Sequence, residues 1–101
     1  MQNLDLDLDL EKYVLWASHK PFDNYPIFWA KNECGYTDNL YECEFYDTYE
    51  DAVISASRNC YNEVIPVKLS DVKEFIRYKA VVLEVSELYE QKKKYLEYLD
   101  R

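Results

Sequence analysis

Four side chains in this 101-residue chain have the chemistry of metal ligands or of a nucleophile with its base: His19, Cys34, Cys43 and Cys60. Three thiolates and one imidazole form one of the donor sets that hold zinc tetrahedrally. Structural zinc sites carry their ligands as close pairs, and no such pair is present here. A thiol beside an imidazole is also the nucleophile–base pair of cysteine hydrolases. No local signature of those enzymes surrounds any of the three cysteines, and His19 stands beside Lys20-Pro21, in the gap between two apolar runs. With one glycine, Gly35, a Gly-rich phosphate loop is excluded. The residues therefore predict free thiols, no catalytic group, no metal and no cofactor.

Carboxylates are the other chemical resource. Between Glu33 and Asp51 lie seven acids, Glu33, Asp38, Glu42, Glu44, Asp47, Glu50 and Asp51, and no basic residue. Tyr36, Tyr41, Phe45, Tyr46 and Tyr49 are interleaved with them. Like charges gathered on one surface repel, and a partner presenting Lys or Arg relieves that repulsion. Tyrosine adds rigid contact area with a polar tip, a mixture favoured at binding surfaces. The expected binding residues are Glu33, Tyr36, Asp38, Tyr41, Glu42, Glu44, Tyr46, Asp47, Glu50 and Asp51. One form of this reading has the acids imitate the phosphates of a nucleic acid. The other has aromatic anchors dominate an ordinary protein interface. A third reading makes the acids a solvated rim and the aromatics core.

These residues must be positioned by one domain, since 101 residues suffice for a single modest core. Half of the chain is apolar and 17% is aromatic, a composition of packed structure rather than disorder. The net charge of −8 is uneven: residues 1–63 hold 13 acids against 4 bases, and residues 64–101 hold 7 against 8. Direct nucleic-acid binding is disfavoured, because phosphate contacts need clustered Lys and Arg. No apolar run reaches the length of a membrane span, and Met1 to Asp5 lack the opening of a secretory signal. Three cysteines suit a reducing compartment, so a cytoplasmic protein is expected.

Residues 4–10 alternate Leu and Asp, the period of a strand, so residues 1–11 read as an edge strand or a loose acidic tail. Tyr13 to Ala17 and Pro26 to Ala30 read as an antiparallel strand pair, with Trp16 and Trp29 expected to meet in the core. Gly35 is placed at a positive φ. Thr48 followed by Glu50-Asp51 opens a short helix near 49–60, whose inner stripe is Ala52, Val53, Ala56 and Cys60. Val64 to Leu69 reads as a strand, at an edge because of Pro66. Ser70 is expected to cap a long C-terminal helix from Asp71 to Leu99, with a seam at Val81, Val85, Leu88, Lys92, Tyr95 and Leu99. The β-branched run Ala80 to Val85 leaves open a strand there, with Ser86 capping a separate last helix. The fold class is α+β: an antiparallel sheet of three to four strands, one short helix and one long C-terminal helix.

Ile27-Phe28-Trp29, Gly35-Tyr36-Thr37, Asp38-Asn39-Leu40, Tyr46 and Glu50-Asp51-Ala52 resemble small accessory proteins of bacteriophages and prophages. The resemblance runs over residues 13–69 and departs at Glu42-Cys43-Glu44, where an Ala-Gly-like pair is typical. It implies a phage protein in the host cytoplasm, of the kind that inhibits host defence enzymes such as CRISPR nucleases, and it brings no catalytic residues. The expected function is thus non-enzymatic: a basic protein surface, on a nucleic-acid-binding defence protein, is blocked by the acidic, tyrosine-rich face. A self-assembling accessory protein that dimerises through the C-terminal helix is the alternative. A small enzyme or metal protein using His19 and the cysteines is another.

Overall fold

Tyr13-Val14-Leu15-Trp16 is a run of β-branched and aromatic residues, and such side chains pack well on a pleated surface. In the computed structural model, which describes residues 8–18, 26–33, 35–60, 64–77 and 80–100, this run is strand β1 (Tyr13–Trp16). It is followed by β2 (Phe28–Trp29), β3 (Tyr36–Thr37), α1 (Tyr49–Cys60), β4 (Ile65–Lys68), β5 (Glu74–Arg77), β6 (Ala80–Leu83) and α2 (Val85–Leu99). The first four strands form one antiparallel sheet in the order β3-β2-β1-β4, and β5 and β6 form a separate hairpin. The α+β architecture with a long C-terminal helix is as the sequence predicts.

Strand β1 pairs with β4 along its whole length, from Tyr13 opposite Lys68 to Trp16 opposite Ile65. Its pairing with β2 is confined to Trp16 opposite Phe28. Pro66 lies in β4, at the sheet edge, where its missing N–H leaves no ladder bond unmade. Gly35 has φ of 94°, and the space where a Cβ would stand is open, so backbone conformation rather than crowding calls for glycine. The Gly35 carbonyl accepts from Ala30 N–H at 2.8 Å, which closes the connection between β2 and β3.

Because side chains alternate across a strand, the sheet has two apolar faces. Val14, Trp16, Phe28, Ile65 and Val67 face one way and pack with Val81 and Leu83 of β6 and Leu88 and Tyr95 of α2. Leu15, Ala17 and Val64 face the other way and pack with Ala52 and Ala56 of α1. Trp16 and Trp29 therefore do not meet: Trp16 is fully buried on the α2 face, edge-on to Tyr89, and Trp29 lies half-buried on the α1 face. The expectation of a Trp–Trp core contact failed because the register sets Trp16 opposite Phe28, and Trp29 is one residue further along.

The expected helix from Asp71 is replaced by a single turn at Leu69–Asp71 and the β5–β6 hairpin. Ser70 caps nothing there; its N–H donates to Leu10 O at 2.9 Å, and Leu69 N–H donates to Lys12 O at 3.1 Å. Ala80-Val81-Val82-Leu83 is buried throughout, so no polar side faces solvent, and two β-branched residues in succession favour the extended form. Helix α2 starts at Val85 with Glu84, not Ser86, in the capping position. The seam is corrected with it. Val81 lies in a strand, the inner face of α2 is Leu88, Gln91 and Tyr95, and Leu99 is exposed.

Of residues 1–11, read as an edge strand or a loose tail, residues 1–7 lie outside the described residues. From Leu8, which is buried, the chain forms a turn in which Lys12 N–H donates to Asp9 O at 3.0 Å. His19 and Cys34 also lie outside the described residues, as does the side chain of Cys60. Cys43 is buried, and burial pushes its thiol well above the ordinary range, so it stays protonated. No helix of the described residues is long and apolar enough to cross a membrane.

Candidate functional site

The start of α1 is set locally. Thr48 Oγ1 accepts from Asp51 N–H at 3.1 Å, a side-chain cap on the first turn. Glu50 and Asp51 sit in that turn, where the helix end is positive and carboxylates are favoured. Once Ala52 and Ala56 are committed to the sheet, the helical period puts Asp51, Ile54, Ser55 and Arg58 together on a neighbouring flank. This flank is one wall of an open groove of about 650 Å³.

The other wall comes from Trp29, Asn32 and the extended stretch Glu44 to Asp47. That stretch is tied to the sheet by backbone bonds. Glu44 N–H donates to Trp29 O at 3.1 Å, and Tyr13 and Tyr46 exchange two bonds of 2.9 Å each. Tyr46 Oη and Ser55 Oγ lie 2.8 Å apart and link the two walls. Asn32, at a positive φ of 58°, donates its N–H to Glu44 Oε1 at 3.2 Å, which orients that carboxylate. Ile54 is 53% exposed, an isoleucine left open beside carboxylates.

Of the ten residues expected to bind, the groove brings together Glu44, Tyr46, Asp47 and Asp51. The others are elsewhere. Asp38 forms an ion pair with Arg77 of β5 at 3.0 Å. Glu42 accepts from Thr37 Oγ1 at 3.0 Å. Tyr36 packs edge-on to Trp29 with ring centroids 5.4 Å apart, and Tyr41 packs against the main core. Glu50 is exposed on α1 but does not line the groove, and the side chain of Glu33 lies outside the described residues. Within the groove Asp47 pairs with Lys12.

The stretch 33–51 is thus not one continuous acidic face. Leu40 and Cys43 must enter the core, so the backbone winds, and the carboxylates around them, Asp38, Glu42 and Glu44, meet different partners. Two of the acids are neutralised by bases from distant parts of the chain, Lys12 and Arg77. The expectation counted bases only within the stretch and missed both.

Trp29, Asn32, Phe45, Ile54, Ser55 and Arg58 line the groove and were not among the expected residues. A signal for some of them was present. Asp51, Ile54, Ser55 and Arg58 recur at the spacing of one helical flank, so a helix starting at Thr48 places them together. Arg58 makes no ion pair with a described residue, and its charge leaves the lining net acidic.

No family model, no curated protein and no solved structure matches the chain.

Proposed function

We propose that this protein is a non-enzymatic binding module that holds a basic segment of a partner protein in the groove between α1 and Glu44 to Asp47. The observation that carries this reading is the convergence of Glu44, Asp47 and Asp51 on the exposed Ile54 and the rings of Trp29, Phe45 and Tyr46. A basic side chain with an apolar stem suits such a lining: the stem lies on the rings and the charge meets the carboxylates. Compensation of Asp38 and Asp47 by Arg77 and Lys12 weighs against a nucleic-acid mimic and toward an interface anchored by aromatic and aliphatic contacts. The resemblance to phage accessory proteins makes a nucleic-acid-binding host defence protein the partner to try first, with inhibition following from occupancy.

Capture from host lysate with the wild type, Glu44→Lys/Asp51→Lys and Ile54→Asp tests the reading. Loss of the same partner in both variants supports it, and equal recovery of every partner by all three proteins removes it. Salt then separates the two forms of the reading. An anchored interface weakens only slightly between 50 and 500 mM salt, whereas a phosphate mimic loses affinity by orders of magnitude, by roughly 10³ or more.

Self-assembly through α2 is a second reading, favoured by one observation. Val85, Tyr89, Lys92, Leu96 and Leu99 alternate steps of four and three along α2, and Tyr89, Leu96 and Leu99 are exposed. Light scattering decides it: a monomer at working concentration removes this reading.

A further inference from the structure

A second cavity, of about 280 Å³, opens beside the first turn of α1 and the outer half of α2 and shares no lining residue with the groove. Three tyrosine rings line it. Tyr49 stands between Tyr13 and Tyr98, at centroid distances of 5.6 and 4.9 Å and interplanar angles of 67° and 78°. Near-perpendicular rings give a pocket electron-rich π surface in more than one direction, and such surface attracts organic cations. Burial and the neighbouring tyrosines push the Tyr49 phenol up to about 12, so the ring stays neutral across the physiological range.

The polar groups of the lining add a second, independent observation. Gln91 is 7% exposed, and its side-chain amide bonds to no described residue. The amide atoms keep contact with solvent, so a ligand bonding to them replaces water there. The cavity also holds charges of both signs. Lys68 Nζ is 3.2 Å from Glu11 and Lys94 Nζ is 3.3 Å from Asp71, so both ammonium groups are already compensated. Glu97 makes no ion pair with a described residue; the lining itself is neutral, and Glu11, which pairs with Lys68 from outside it, leaves Glu97 as the carboxylate that neither lysine engages.

We propose that this cavity is a binding site for a small alkylammonium ligand, with its charged head against the tyrosine rings and Glu97 and a polar tail on the Gln91 amide. The lining accounts for each part of such a ligand. The rings accept a methylated head that a hydrated small cation does not match, Glu97 supplies the counter-charge, and Gln91 supplies both a donor and an acceptor.

The test is titration of the full chain, ring-labelled at tyrosine, with choline and with 3,3-dimethylbutan-1-ol, which has the same shape without the charge. Choline is expected to produce saturable NMR shifts at Tyr49 and Tyr98, and the neutral isostere to bind about tenfold more weakly. Tyr98→Leu should weaken choline by roughly tenfold and Glu97→Gln by about fourfold. Glu97 is at the surface, so its variant keeps the experiment decisive if Tyr98→Leu does not fold. Absence of saturation with choline, equal binding of the two probes, or full affinity in Glu97→Gln overturns the proposal.

Discussion

The two faces of the four-stranded sheet are closed in different ways. On one, Trp16 and Phe28 meet Leu88, Tyr95 and the buried hairpin strand β6, and large side chains fill the space. On the other, the fully buried contribution of α1 is Ala52 and Ala56 against Leu15, Ala17 and Val64, with larger side chains such as Trp29 and Tyr46 only partly buried around them. A helix seated on alanines buries a narrow stripe, and its flank stays open to solvent. That flank is the groove wall with Ile54 and Asp51. The α2 face is therefore the chief source of stability, and the α1 face leaves room for a partner.

The largest effect should come from the filled face. Leu88→Ala leaves a cavity among Trp16, Tyr95 and their neighbours and is expected to cost about 2–5 kcal/mol in urea denaturation. A loss under ~1 kcal/mol would erase the contrast between the faces. Ala56→Leu should be harmful for the opposite reason. The added atoms push α1 off the sheet, at a cost of about 1–3 kcal/mol by the same measurement, and they distort the groove.

Tyr49 touches both regions, through Tyr13 on β1 and Tyr98 on α2. Its phenol ionises near 10 when unfolded and only near 12 when folded, because burial disfavours the phenolate. The unfolded chain thus releases this proton first. The stabilising contribution is complete below pH 10 and disappears as pH rises toward 12. Tyr49→Phe should flatten the fall in melting temperature across that window, and an unchanged slope would show that the ring is solvated.

The smallest stability change is expected at the groove. Ile54→Ser, on the exposed flank, should alter unfolding by no more than about 0.5 kcal/mol while it weakens partner binding. A loss comparable with that of Leu88→Ala would make Ile54 part of the core and close the case for the groove.

Much of this arrangement was written locally. Alternation in β1 and β4 set which residues face together, Pro66 marked an edge strand, Gly35 marked a positive φ, and Thr48 marked the start of α1. Each depends on covalent geometry or on atoms a few residues apart, so the amino-acid order alone determines it. The hairpin at 74–83 was less legible, because its run of apolar residues suits a buried strand and a buried helix equally well until the packing partner is known.

The fate of the carboxylates was decided only by tertiary structure. Asp47 meets Lys12 across 35 positions and Asp38 meets Arg77 across 39, and nothing near either acid in the sequence announces its partner. The same holds for the groove, which exists because α1, β2 and the stretch after Cys43 pack on one another. Charge interactions follow distance in space, and in a folded chain that distance is set by which faces bury together rather than by separation along the backbone.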